Sequence, residues 1–155
     1  MNKYMNDYQE LLIITIGSIN FFIFISSWYM CKYKRKQWSL TPMFYPFGIF
    51  VWADGFMFGL FWFLASLISL LLNDWYLFCF IISVFWLVRS LGETIYWFNQ
   101  QFSTVIRVKP EEIPGLDIFH DDSIWFVFQT FMQVIAIVSI IFTVYFGYLW
   151  VQSLG

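Results

Sequence analysis

Long apolar stretches alternate with short polar ones along the whole chain. Four of the apolar stretches have the length of a membrane-spanning helix, which needs about 17–25 residues to cross the hydrocarbon core. They cover Leu11–Met30, Phe47–Leu72, Trp75–Phe98 and Ile124–Val151. The pattern predicts an all-α fold class, an integral membrane bundle of four transmembrane helices with short loops, forming one domain over residues 1–155.

Turn-forming residues separate the predicted spans. Pro42 and Pro46 precede the clean part of the second span, and they predict an interfacial lead-in or a kinked first turn there. Asn73 and Asp74 connect spans two and three, which predicts a tight helical hairpin. Residues 99–123 form the only sizeable loop, and the proline and glycine residues within it break any regular element.

The composition excludes a soluble globular domain. The chain is 61% hydrophobic and 25% aromatic but only 12% charged, whereas soluble domains carry about 25% charged residues. The net charge of −2 provides no cationic surface for nucleic acid. We therefore expect an integral membrane protein of a bacterial inner or plasma membrane, with membrane lipids as partners and no nucleic acid.

Basic residues predict the orientation of the chain, because cytoplasmic loops carry an excess of Lys and Arg. One side of the predicted membrane holds Lys32, Lys34, Arg35, Lys36, Arg107 and Lys109, and the other holds only Lys3. This bias of six against one predicts both termini outside and the segments Lys32–Lys36 and Asn99–Ser123 in the cytoplasm. The first of these clusters could also contact anionic lipid headgroups, although setting the topology is sufficient to explain it.

Small residues mark the faces on which helices pack in lipid, because they let two backbones approach closely. The second span carries Gly48, Gly55, Gly59 and Ser66 on one stripe, and the third and fourth spans carry Ser83, Ser90, Ala136 and Gly147. The segment "GFMFG" from Gly55 to Gly59 is a G-x-x-x-G element, which serves packing within one chain or dimerisation. On the first span Thr15, Ser18 and Ser26 cluster, while Asn20 points elsewhere.

Three predicted spans carry their most polar side chains at a similar depth. These are Asp54 on span two, Arg89 and Glu93 on span three, and Gln129 and Gln133 on span four. At 1.5 Å per residue they lie about 7 to 14 Å below the cytoplasmic boundary. Because a charge in a span is costly, we expect these five side chains to form an inward-facing polar cluster that opens to the cytoplasm. The alternatives are a structural salt bridge and an Arg89 that reaches the membrane surface.

Residues for catalysis or metal binding are scarce. His120 is the only histidine, and Cys31 and Cys79 are predicted near opposite membrane faces, so one chain cannot assemble a zinc site. Asp121 and Asp122 precede the fourth span, where negative charge suits the start of a helix. We expect no metal, no cofactor and no catalytic residue.

Two classes of function remain. The first is a non-enzymatic membrane module, either an accessory subunit or a small channel or transporter that forms a homo-oligomer or binds another membrane subunit. The second is a small intramembrane enzyme that acts on a lipid-like substrate at the cytoplasmic interface. In that enzyme Glu93 or Asp54 would act as the base and Arg89 as an anion clamp, with His120 as a further candidate. The scarcity of catalytic side chains favours the first class.

Overall fold

The computed structural model describes residues 5–104 and 123–155. Four long helices follow one another in these residues: α1 (Asp7–Lys32), α2 (Trp52–Leu71), α3 (Trp75–Gln100) and α4 (Ser123–Leu154). The described residues contain no strand, and each of the four helices is long and apolar enough to cross a membrane. The predicted fold class is confirmed, and these helices mark the chain as a membrane protein. Most of the predicted 99–123 loop, with His120 and the Asp121–Asp122 pair, lies outside the described residues.

The first helix begins earlier than the apolar pattern does. The Asn6 side chain accepts a hydrogen bond from the Gln9 backbone N–H at 2.9 Å, and the Gln9 side chain accepts one from the Asn6 N–H at 3.0 Å. This reciprocal capping box satisfies two of the donors that a helix N-terminus leaves without partners. Polar residues before Leu11 are therefore helical, although they do not belong to the apolar span.

The proline-containing segment before α2 is a separate element. Pro42–Phe47 forms a 3-10 helix, which ends at Gly48 with a φ of 71°, and α2 begins only at Trp52. A φ in this left-handed region favours glycine, which has no Cβ. Gly48 therefore serves the turn and is not part of the packing stripe of α2. Burial raises the pKa of the Tyr45 phenol in this segment.

The described residues form two compact units. The first contains the described residues up to Ile81 together with Phe146–Gly155, and the second contains Ile82–Tyr145. Helices α3 and α4 each contribute to both units. The first unit holds the helical hairpin α1–α2 and the turn into α3, and the second holds the charged part of α3 and the first two thirds of α4.

Helices α1 and α2 pack antiparallel at very short range in the first unit. A Cβ atom built on Gly59 would lie only 2.8 Å from the backbone nitrogen of Phe24, and one on Gly55 would overlap the hydroxyl of Ser27. Both glycines of the G-x-x-x-G element are thus in contact with α1 of the same chain. They are not available for the dimerisation that the sequence left open.

The buried face of α1 differs from the face expected from the sequence. It consists of Ile13, Gly17, Asn20, Ile23 and Ser27. The side chains of Thr15, Ser18 and Ser26 are exposed instead. The Thr15 hydroxyl donates to the carbonyl of Leu11 at 2.8 Å. A hydroxyl satisfied by its own helix can face lipid at little cost, so the cluster of small polar residues did not identify the packing face.

A turn connects α2 and α3 at the two residues where the sequence predicts it. Asn73 adopts a left-handed φ of 50°, and the Asp74 carboxylate accepts a hydrogen bond from the Leu77 N–H at 2.9 Å at the start of α3. The Trp150 indole N–H donates to the same carboxylate at 3.1 Å. The end of α4 therefore contacts this turn within the first unit.

The small residues of the remaining stripes lie on interior faces. Ser66, Ser83, Ser90 and Ala136 are buried. Gly147 is half-buried, and a Cβ built there would lie 3.1 Å from the ring of Phe80.

Candidate functional site

The centre of the candidate site is an ion pair on one face of α3. An Nη1 atom of Arg89 lies 2.7 Å from Oε1 of Glu93, one helical turn further along. The two side chains retain only 15% and 10% of their exposure. The i,i+4 spacing brings the side chains together, and their mutual neutralisation lowers the cost of placing both in an apolar helix.

Hydroxyl groups around the pair are satisfied by the backbone of α3. The Ser90 hydroxyl donates to the carbonyls of Trp86 and Leu87, and the Thr94 hydroxyl donates to the Ser90 carbonyl at 2.8 Å. These bonds satisfy the hydroxyl groups within α3, so neither side chain needs a partner on another helix. Neither hydroxyl forms the activated nucleophile that covalent catalysis requires.

An aromatic stack joins α3 to α4 within the second unit. The Trp97 ring lies nearly parallel to the rings of Trp125 and Phe128, with centroids 5.3 and 4.7 Å away. Its buried indole N–H has no hydrogen-bond partner in residues 5–104 and 123–155. Arg89, Glu93 and Trp97 follow one another at four-residue intervals, so the ion pair continues into this stack along one face of α3.

The two glutamines of α4 have different surroundings. Gln129 is half-buried, and its Oε1 accepts a hydrogen bond from Nε2 of Gln101 at 2.6 Å. Gln133 lies one turn further along α4 and is exposed. The sequence missed Gln101 because it follows the end of α3, beyond the span to which the depth argument applied.

Asp54 stabilises the start of its own helix. Its Oδ2 accepts hydrogen bonds from the backbone N–H groups of Phe50 and Val51 at 3.0 and 3.3 Å. A carboxylate in this position satisfies unpaired donors and interacts favourably with the helix dipole. Asp54 belongs to the first unit, whereas the other four members of the predicted cluster belong to the second.

A second polar group lies between α1 and α2. The Asn20 Nδ2 donates to the carbonyl of Ile16 at 2.9 Å. Among the residues that the structure describes, its buried Oδ1 has no hydrogen-bond partner, and neither do the buried hydroxyls of Ser27, Ser66 and Ser69. The sequence signal for this seam was the spacing of Gly17, Asn20 and Ser27, which repeats at helical intervals.

The basic cluster Lys32–Lys36, at the end of α1, lies beside aromatic rings. The Lys32 ammonium lies 4.9 Å from the ring centre of Trp28 and 5.3 Å from that of Tyr33. Lys34 lies 6.0 Å from the ring centre of Tyr29, and Lys34, Arg35 and Lys36 are exposed. Exposed cations beside interfacial aromatic residues are well placed for lipid headgroups.

The described residues contain no group of three or more His, Cys, Asp or Glu side chains that could hold a metal ion. Comparison of the chain with known protein families, with curated proteins and with solved structures finds no match.

Proposed function

We propose that this protein is a non-enzymatic accessory subunit of a membrane assembly, in a bacterial inner or plasma membrane. The observation that carries the proposal is the Arg89–Glu93 pair, which places two opposite charges within an otherwise apolar helix. Ionisable side chains inside a membrane are expensive and mark functional positions by default. A polar position of this kind lets one helix recognise another in lipid, where apolar contacts alone discriminate poorly.

The engagement of both candidate carboxylates disfavours the enzymatic alternative. Glu93 is bound to a guanidinium, and Asp54 accepts two backbone hydrogen bonds at the start of α2. A general base must instead reach a proton of the substrate. Arg89 is likewise engaged by Glu93, which opposes its use as a clamp for a substrate anion.

A small oligomeric channel or transporter is the second candidate, favoured by four buried side-chain oxygen atoms that have no hydrogen-bond partner among the described residues: Oδ1 of Asn20 and the hydroxyls of Ser27, Ser66 and Ser69. Unsatisfied oxygen atoms in a membrane helix pair are suitable ligands for water or cations. The close approach of α1 and α2 at Gly59 opposes a path between these two helices. Such a path would have to form between copies of the chain.

The candidates can be separated with purified protein in vesicles of phosphatidylethanolamine and phosphatidylglycerol. The parent and the Arg89→Gln/Glu93→Gln variant are compared, because the double substitution removes both charges and retains hydrogen-bonding groups. Ion flux is followed with an entrapped pH-sensitive dye, and lipid conversion by mass spectrometry. An accessory subunit shows neither activity. Glu93-dependent flux would instead support the channel, and Glu93-dependent lipid conversion would support the enzyme.

A positive test of the subunit role uses native membranes. The tagged protein is extracted in nanodiscs from cells that express it at its natural level, and the mass of the particle is measured. We expect additional protein at fixed stoichiometry with the parent and its loss with the Arg89→Gln/Glu93→Gln variant. An unchanged particle with that variant would show that the ion pair does not serve assembly.

A further inference from the structure

The fourth helix has the least protein around it. Only 11% of the residues in its most apolar window are buried, compared with 28–33% in the other three helices. Apolar side chains on such a helix need no protein partner, because lipid solvates them as well as another helix does. On this helix, exposed polar side chains are therefore the ones that can indicate a protein partner.

Gln133 is the side chain that lipid cannot satisfy. It is exposed, and among the described residues its amide has no hydrogen-bond partner. It lies ten residues after Ser123, which is about 15 Å along the helix axis and therefore within the hydrocarbon core. Threonine hydroxyls can bond to their own helix, as Thr15 and Thr94 do. A glutamine amide also carries an acceptor oxygen, and within a helix the backbone N–H groups are already engaged, so this oxygen needs a donor from elsewhere.

The residues around Gln133 form a continuous exposed seam on α4. Its members are Phe126, Thr130, Gln133, Ile137, Ile140 and Val144, all exposed. They are separated alternately by four and three residues, which is the spacing that faces a partner in left-handed helix pairs. At 1.5 Å per residue the seam is about 27 Å long, close to the thickness of the hydrocarbon core.

We propose that this α4 seam binds the α4 seam of a second copy of the chain, with the two Gln133 amides hydrogen-bonded to each other. All copies obey the same loop-charge bias, so the two helices are parallel. A two-fold axis between parallel helices places each seam residue against its own counterpart. An amide is complementary to itself, because its N–H groups donate to the carbonyl oxygen of the other copy.

The choice of a second copy rests on this self-complementarity and on the rest of the seam. One amide side chain in a seam made mostly of β-branched residues is the kind of pattern that fixes register and a two-stranded state in helix pairs. The glycines at 55 and 59, the other candidate for dimerisation, are in contact with α1 of the same chain. The α4 dimer would be one interface of the membrane assembly proposed above, and it rests on that proposed function.

Sedimentation equilibrium in density-matched detergent micelles tests the dimer with the full chain. We expect the parent to dimerise and Gln133→Leu to weaken dimerisation about 3- to 30-fold, the range for a membrane hydrogen bond. Gln133→Asn keeps an amide and should retain part of the affinity. Val134→Leu, at an exposed neighbour outside the seam, should leave the affinity unchanged. A monomeric parent, or equal affinities for parent and Gln133→Leu, would overturn the proposal.

Disulfide cross-linking in native membranes tests the same interface without detergent. In a background with Cys31→Ser and Cys79→Ala, Ile137→Cys should give a cross-linked dimer under mild oxidation, whereas Val138→Cys should not. Cross-linking at position 138 and not at 137 would overturn the seam. Failure of the proposed function is recognised separately, since lipid conversion or ion flux in vesicles is measured independently of dimerisation.

Discussion

Arg89 and Glu93 neutralise each other in an apolar layer, where a lone charge of either sign is costly. Replacing Arg89 with Ala would leave the largely buried Glu93 carboxylate without its cation. We expect a loss of about 3–5 kcal/mol of unfolding free energy, the typical result of breaking a buried pair. Thermal unfolding in detergent micelles, followed by circular dichroism, measures this loss.

The Arg89→Ala/Glu93→Gln variant provides the control for this prediction. It removes the lone charge as well, so most of the lost stability should return. If Arg89→Ala alone melts like the parent, the guanidinium reaches the membrane surface instead of serving a buried pair.

Asp54 offers a second prediction at the scale of one residue. Asp54→Ala removes the acceptor for the Phe50 and Val51 N–H groups, and we expect a loss of about 0.5–2 kcal/mol of unfolding free energy. Asp54→Asn keeps a side-chain oxygen there and should lose less. Equal losses for both substitutions would mean that the negative charge matters more than the hydrogen bonds. Denaturant or thermal titration of the purified variants compares them.

At the scale of the element, the α1–α2 pair depends on the absence of a side chain at Gly59. Gly59→Ala would press a methyl group against the backbone of Phe24, which cannot rotate away. We expect a loss of about 1–3 kcal/mol of unfolding free energy, as for other overpacked sites. Gly92→Ala is the matched control, because a Cβ there would meet no described atom within 4 Å apart from its chain neighbours and the backbone of its own helix. It should leave stability unchanged or raise it by up to about 1 kcal/mol. Equal melting of Gly59→Ala and the parent would contradict this packing.

The sequence predicted the helices better than it predicted their contacts. Bilayer thickness sets the length of an apolar run, so all four helices followed from that length alone. The i,i+4 spacing likewise brought Arg89 and Glu93 onto one face. The prediction of the packing face of α1 was wrong. This helix is apolar nearly all round, so the sequence shows little contrast between its sides. The role of Asp54 was missed because depth along a helix does not reveal which backbone donors a carboxylate reaches.

At the scale of the whole molecule, distant parts of the chain meet at the α2–α3 turn. The Asp74 carboxylate precedes α3 and accepts hydrogen bonds from the Leu77 N–H at its start and from the Trp150 indole N–H near the end of α4. The Trp150 ring also stacks on the Phe80 ring, with centroids 5.5 Å apart. The Met5 N–H donates to the Asn73 side chain at 3.0 Å. Met5 and Trp150, near the two ends of the described chain, therefore both lie beside the α2–α3 turn in the first unit.

The loop charges lead to a prediction of which side of the membrane the α2–α3 turn faces. Moving Lys and Arg across the bilayer during insertion is unfavourable, so the basic segment after α1 should stay in the cytoplasm and both termini should face outside. Ser39→Cys and Gly155→Cys report the two sides, each in a background lacking Cys31 and Cys79, and both positions are exposed. A membrane-impermeant maleimide should label position 155 in intact cells and position 39 only after permeabilisation. Labelling of position 39 in intact cells, with position 155 protected, would reverse the orientation. The Arg89–Glu93 pair would then lie in the half of the membrane next to the opposite compartment.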